Sequence, residues 1–161
     1  MKKQFGFVVL AGVLGFIGSL TIAGVAAQNG PAGQGGQGAA ATPPCGPNLT
    51  AGVRNVAKDS RCFELRTYTV GAGSSIDLLH SRFRDHTTAL FKKHGMTIIG
   101  YWQPLTKRDT LIYLLAYKDG AARDAAWAAF QADPEWIKTR TEMQVSVQVD
   151  NVFMSATDSH Q

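Results

Sequence analysis

Three polar side chains that could bind or transform a small molecule occupy alternate positions of one short segment. Glu64, Arg66 and Tyr68 lie in the run Cys62–Val70, which alternates and is rich in β-forming residues, so a strand would place all three on one face. Arg66 could bind a carboxylate through two hydrogen bonds, with the Tyr68 hydroxyl adding another. The alternative is an ion pair between Arg66 and Glu64, within one chain or between two. Arg66 and Tyr68 are therefore candidate catalytic residues, and Glu64 is a candidate pocket residue.

A histidine offers a second source of chemistry. His86 falls on the helical stripe of Leu79, Phe83 and Leu90, so we expect its ring to face the sheet. There it could act as a general base or bind a metal or haem iron, which makes it the third candidate catalytic residue. The alternative is a core histidine hydrogen-bonded to a neighbour such as a tyrosine. No second ligand is evident, so no metal site and no cofactor are predicted, and haem stays a separate hypothesis.

Aromatic side chains could complete a ligand pocket, although aromatic residues at these spacings also build ordinary cores. The candidates are Tyr101, Trp102, Tyr113 and Trp136. The sequence contains no Gly-x-Ser-x-Gly, no His-Glu-x-x-His and no Cys-x-x-Cys, and no glycine loop of the phosphate-binding kind. Hydrolase and nucleotide-dependent chemistry are therefore not indicated.

The elements that must position these residues follow the order β-α-β-β-α-β. Strands are predicted at 62–70, 96–102, 110–117 and 145–154. One helix runs from a cap at Ser74 to His94, and another covers 121–132 and restarts at Asp133-Pro134. This order predicts an α+β, ferredoxin-like fold, with one antiparallel sheet and both helices on one face.

The second face of this sheet also carries apolar residues. In the third strand Leu111, Tyr113 and Leu115 point one way, and Ile112 and Leu114 the other. That is more apolar surface than a solvated sheet face should show. A second copy of the chain would cover it, so we expect a homodimer.

The first sixty residues have a different character. Lys2 and Lys3 precede an uncharged stretch at 5–27, which predicts a signal peptide at 1–27 or, alternatively, an uncleaved membrane anchor. Residues 28–58, rich in Gly, Ala, Pro and Gln, predict a disordered linker, and the folded domain is expected at 60–156. We expect an exported protein, periplasmic or secreted, that contacts a membrane only through an uncleaved N-terminus.

Cysteine content and charge limit the partners further. In an oxidising compartment Cys45 and Cys62 could form a disulfide, the alternatives being two free thiols or pairing between chains. The 161-residue chain carries a net charge of +4, but its Lys and Arg residues form no stripe interleaved with aromatic residues. Nucleic acid is therefore not an expected partner.

Three segments in this order resemble the NIPSNAP family: Phe63 to Tyr68, His86 to Trp102, and Ala125 to Trp136. The resemblance implies a dimeric α/β barrel, in which two ferredoxin-like sheets close face to face, and a family without an agreed reaction. Its relatives by fold include small oxygenases and haem-degrading enzymes. The exported linker departs from the animal members, which look like mitochondrial and adaptor proteins.

The leading hypothesis is a dimer that binds a small apolar or aromatic ligand in a pocket between helix and sheet. A cofactor-independent, monooxygenase-like activity would be one use of such a pocket. The alternatives are a non-enzymatic protein-interaction module and a haem protein with His86 as the axial ligand.

Overall fold

The computed structural model describes residues 43–47, 49 and 53–159. The predicted signal peptide and most of the predicted linker lie outside these residues. The elements are β1 (Cys62–Val70), α1 (Ile76–Arg82), a π-helical turn (Phe83–Thr87), α2 (Thr88–Lys93), β2 (Thr97–Trp102), β3 (Thr110–Tyr117), α3 (Gly120–Ala132), α4 (Pro134–Glu142) and β4 (Val147–Ser155). The predicted α+β, βαββαβ arrangement is confirmed. No helix in the described part of the chain has the length and apolar character to span a membrane.

The four strands form one antiparallel sheet in the order β2-β3-β1-β4. β1 is an interior strand that pairs with β3 on one side and with β4 on the other. Arg66 therefore lies directly between Tyr113 and Asn151. Alternate residues of β1, including Glu64 and Arg66, are buried beneath the helices. The face on which sequence alternation places the candidate residues is thus the face that the helices cover.

Side-chain caps mark where α1 and α4 begin. Ser75 caps α1 by accepting from the backbone N–H groups of Asp77 and Leu78 at 3.2 and 3.4 Å. The predicted cap at Ser74 is therefore wrong by one residue, because the Ser74 hydroxyl instead accepts the Ser146 N–H at 2.8 Å. Asp133 caps α4, with Pro134 at the first helical position, as the sequence predicts.

The π-helical turn changes which residues of the first helical segment face the sheet. A regular α-helix would continue the stripe from Phe83 to His86, but the wider turn shifts it by one residue. Thr87 is consequently 1% exposed, whereas His86 is only half-buried. His86, which the sequence predicts to face the sheet, is thus the more exposed of the two residues.

The sheet face away from the helices is apolar at its centre. Leu65 lies opposite Leu114 on one side and Val152 on the other. Leu65 and Leu114 are half-buried, and Val152 is 54% exposed. The expected homodimer would use this face, and it stays a prediction.

A disulfide joins the chain ahead of the domain to its first strand. Cys45 and Cys62 are bonded, and both are buried. Gly46 follows with φ +92°, and its N–H donates to Ser155 Oγ at 3.0 Å. A Cβ at Gly46 would stand 3.1 Å from the Asp119 Cα, so the close approach of the two backbones requires glycine.

Replacing both Cys45 and Cys62 with Ser should lower the free energy of unfolding by about 2–4 kcal/mol, because the crosslink closes a loop of this size in the unfolded chain. Urea denaturation of the oxidised proteins measures the difference. Reducing agent should destabilise the wild-type chain and leave the double variant unchanged. Equal stability of the two oxidised proteins would contradict the prediction.

Candidate ligand site between the helices and the sheet

The Glu64 carboxylate is fully buried and accepts hydrogen bonds from side chains of two neighbouring strands and α3, as well as from its own strand. The donors are Arg66 Nη1 (2.6 Å), Arg123 Nη2 and Nε (2.7 and 3.0 Å), Trp127 Nε1 (2.9 Å), Tyr117 Oη (3.2 Å) and Asn151 Nδ2 (3.3 Å). Two guanidinium groups and three neutral donors thus satisfy one carboxylate.

This environment keeps Glu64 ionised. Burial by itself raises the pKa of the carboxyl group, but the hydrogen bond from Arg123 and the charges of Arg66 and Arg123 outweigh it. The pKa falls from an ordinary 4.5 to about 2. Burial and the Glu64 charge in turn raise the pKa of the Tyr117 hydroxyl, which therefore stays a hydrogen-bond donor.

Glu64 also fixes Arg66, the candidate binding residue. The ion pair between them, one of the two readings of the sequence, is present within the chain. The Arg66 guanidinium also donates to the Tyr68 hydroxyl at 3.3 Å and lies 4.4 Å from the centroid of the Trp127 ring. Burial lowers the pKa of Arg66, but the Tyr113 and Tyr68 hydroxyls and Glu64 more than offset it, so the net shift is upward. Arg66 is a permanent, oriented cation.

A small cavity of about 20 Å³ lies between the helices and the sheet, with room for roughly one water-sized group. Two arginines, Arg66 and Arg82, contribute to its lining. The other lining residues are Tyr68, Phe83, Thr87, Phe91, Trp127, Phe130, Gln131 and Trp136. Aromatic rings form most of the wall. Of the lining residues, Gln131 is the exposed one, so the cavity extends toward the surface near the end of α3.

Three buried polar atoms on the lining residues lack hydrogen-bond partners among the described residues: Arg66 Nε, Thr87 Oγ1 and Trp136 Nε1. Each residue is at most 6% exposed. Buried polar atoms in folded proteins nearly always have a partner, from the protein, from water or from a ligand. Three such atoms on residues lining one cavity therefore indicate that water, a ligand or another group outside the described residues completes their hydrogen bonding.

Arg82, at the end of α1, is 1% exposed. Its Nη1 donates to the Met143 carbonyl at 3.4 Å, and its guanidinium carbon lies 5.6 Å from the Trp136 ring centroid. Burial lowers the pKa of Arg82, although a guanidinium stays charged in proteins. Sequence reasoning missed Arg82 and Thr87; the available signal was the spacing of Arg82 from Leu79, which places it on the apolar stripe.

The other predicted pocket residues have different locations. Trp136 lines the cavity together with Arg66 and Tyr68. Tyr113 is fully buried beneath the helices, with its ring 5.2 Å from that of Tyr68. Tyr101 is half-buried and its hydroxyl bonds with Thr88 at 3.0 Å, and Trp102 is 50% exposed. Of the aromatic candidates, the structure brings only Trp136 to the cavity.

Haem does not fit this arrangement. His86, the expected axial ligand, is absent from the cavity lining, and the cavity is far smaller than a macrocycle. Across the described ranges, no cluster of three His, Cys, Asp or Glu side chains is placed to hold a metal ion.

The family relationship agrees with this architecture. The profile of the NIPSNAP family matches residues 63–160. The chain belongs to the NIPSNAP family. Among curated protein sequences, none matches this chain.

Solved structures of NIPSNAP proteins share the fold. An uncharacterized NIPSNAP-like domain protein from Burkholderia xenovorans is 18% identical, with a TM-score of 0.56, and the match covers 63% of this chain and 89% of that one. A NIPSNAP family protein of unknown function from Agrobacterium tumefaciens is 20% identical, with a TM-score of 0.54 and coverage of 60% and 88%. SnoaB, a cofactor-independent oxygenase from Streptomyces nogalater, is more distant, at 15% identity and a TM-score of 0.46, with coverage of 62% and 95%.

Replacing Glu64 with Gln should lower the free energy of unfolding at neutral pH by about 3–5 kcal/mol, because buried guanidinium groups lose their counter-charge. A depressed folded-state pKa stabilises the fold above the unfolded-state value of 4.5, and this contribution is lost as pH falls through about 2. As pH falls from 4.5 to about 2, the free energy of unfolding of the wild type should therefore drop by about 3 kcal/mol more than that of E64Q.

Chemical denaturation at several pH values measures both effects. Glu142→Gln, which alters an exposed carboxylate of α4, is the matched control and should behave like the wild type. Parallel pH profiles for the wild type and E64Q would contradict the role assigned to Glu64.

Proposed function

We propose that this NIPSNAP protein binds a small organic molecule in the space between its helices and its sheet. The observation that carries the proposal is that three residues lining one cavity, Arg66, Thr87 and Trp136, each have a buried polar atom without a partner in the described part of the chain. Ligand sites typically combine an apolar wall with a few polar groups that fix orientation. The aromatic rings supply the wall, and these polar atoms with the Tyr68 hydroxyl supply the orienting groups.

The location of the π-helical turn supports the same site. Such turns are often found at functional positions, because they displace side chains from the regular helical register. Here the turn Phe83–Thr87 contributes Phe83 and Thr87 to the cavity. His86, also in this turn, is absent from the cavity lining and has no role in the proposed site.

We also propose that the protein is an exported homodimer. The apolar centre of the open sheet face at Leu65, Leu114 and Val152 supports self-association. The Cys45–Cys62 disulfide is compatible with an oxidising compartment such as the periplasm or the extracellular space.

Cofactor-independent oxygenation is a second candidate use of this site. Buried cationic donors favour the anionic, electron-rich form of a bound phenol or enol, and that form reacts with O₂ more readily. Arg66 and Arg82 beside the cavity are the observation that favours it. Stoichiometric O₂ consumption with a bound phenolic compound would support this use, and binding without O₂ consumption would remove it.

Native mass spectrometry of residues 28–161, purified from the compartment to which the chain is exported, tests ligand binding. We expect a dimer that carries additional small-molecule mass. Arg82→Met should remove that mass because it deletes a guanidinium of the cavity wall, whereas His86→Ala should retain it. A bare wild-type dimer would favour the interaction-module hypothesis, and loss of ligand in H86A alone would contradict the proposed site.

Replacing Leu114 with Lys should weaken dimerisation at least about tenfold, since it would bury a charge at the centre of the open sheet face. Sedimentation over a concentration series measures the change. Ile137→Lys is the matched control, because it adds the same charge at an exposed apolar position of α4 and should leave the dimer intact. A wild-type monomer, or equal weakening by both variants, would contradict this interface.

A further inference from the structure

The chemistry of the unpartnered atoms restricts what they can bind. Arg66 Nε and Trp136 Nε1 are hydrogen-bond donors that cannot accept, and the Thr87 hydroxyl can also donate. A single group that satisfied both N–H donors would have to offer lone pairs to the two at once. A carboxylate oxygen does this, and a hydrogen bond to an ionised acceptor is about twice as strong as one to a neutral acceptor.

The charges around the cavity favour an anion over a neutral acceptor. Glu64 and Asp133 are the buried carboxylates of the described residues. Glu64 is shared by Arg66 and Arg123, and Asp133 pairs with Lys93 and His94. Both buried carboxylates are thus already engaged by cations. An entering anion would meet the guanidinium groups of Arg66 and Arg82 in a buried environment of low dielectric constant, which strengthens electrostatic attraction.

The size and position of the cavity define how such a ligand would enter. About 20 Å³ accommodates one oxygen-sized group but not a whole organic molecule. The remainder of the ligand must therefore extend along the wall toward Gln131, the exposed lining residue near the end of α3. The aromatic side chains of Phe130 and Trp136 belong to the same lining, with ring centroids 4.5 Å apart.

Building on the proposed function, we infer that the ligand is a small carboxylic acid, one of whose carboxylate oxygens occupies the cavity between Arg66, Arg82 and Trp136. The Arg66 Nε–H and Trp136 Nε1–H groups donate to that oxygen, and Thr87 adds its hydroxyl. Arg82 supplies the second positive charge. Specificity for a carboxylic acid then comes from these polar groups, and the aromatic wall contacts the apolar part of the ligand.

The indole N–H resonances of the exported chain, which comprises residues 28–161, provide a direct test. The chain has three tryptophans, so its proton–nitrogen correlation spectrum should show three indole peaks, and Trp136→Phe identifies that of Trp136. The probes are formate, acetate and benzoate, each paired with its neutral amide at equal ionic strength. We expect the acids to shift the Trp136 peak saturably, with little change at exposed Trp102, and the amides to bind at least tenfold more weakly.

Substitutions at Arg82, Arg84 and Thr87 separate binding from folding. Arg82→Met should weaken the response to acids at least tenfold, Arg82→Lys should restore part of it, and both should keep dispersed spectra. Arg84→Met removes a guanidinium from an exposed position of the same helical segment and should respond like the wild type. If R82M does not fold, Thr87→Val, which removes only the hydroxyl, should weaken binding several-fold and supplies the same comparison.

The outcomes distinguish this inference from the proposed function. Equal shifts with acids and amides, or none with any acid, would overturn the carboxylate inference. Native mass spectra that still show a bound neutral molecule would then leave the proposed function standing. A saturable shift produced by sodium chloride alone would identify a simple anion site and would also overturn it. Spectra without bound mass together with no response to any probe would contradict both.

Discussion

The hydrogen bonding of the ionised Glu64 carboxylate, in β1, is the interaction on which the rest of the domain depends. Transfer of a charge to the protein interior is costly, and it is stable only where hydrogen bonds and opposite charges compensate fully. Here the compensation comes from β3 through Tyr117, from α3 through Arg123 and Trp127, and from β4 through Asn151. One carboxylate therefore specifies how a helix and three strands assemble, in addition to the apolar packing around it.

The same carboxylate prepares the cavity. Because Glu64 engages Nη1 of Arg66 and Tyr68 accepts from Nη2, the guanidinium is held in one orientation while its Nε remains without a partner in the described chain. Trp127 stacks near that guanidinium and donates to Glu64, so it restrains both members of the ion pair. The free edge of Arg66 is thus preorganised before any ligand arrives, which reduces the ordering cost of binding.

The sequence predicts the fold well because its determinants are local. β1 and β3 have the predicted bounds, since alternation and β-forming residues mark both, and Asp133-Pro134 marks the start of α4. The site is harder to predict. The partners of Glu64 extend from Arg66 to Asn151, and no periodic pattern connects them. The π-helical turn has no sequence signature that we recognise, so regular periodicity selected His86 where the structure buries Thr87. Arg82 was overlooked because a charged side chain is ordinarily assigned to the surface.

The disulfide also determines how the domain would bear mechanical load. Tension applied to the chain ahead of Cys45 would reach β1 through the sulfur–sulfur bond, in parallel with the hydrogen bond from Gly46 to Ser155. At Cys62 the load is shared by two hydrogen-bonded ladders, because the residue pairs with Tyr117 on one side and Ser155 on the other. Reduction would add the contour length of residues 46–61, about 50 Å for an extended chain, to the chain ahead of the domain. The bond therefore determines both the length of chain that is free ahead of the domain and the strand at which tension enters it.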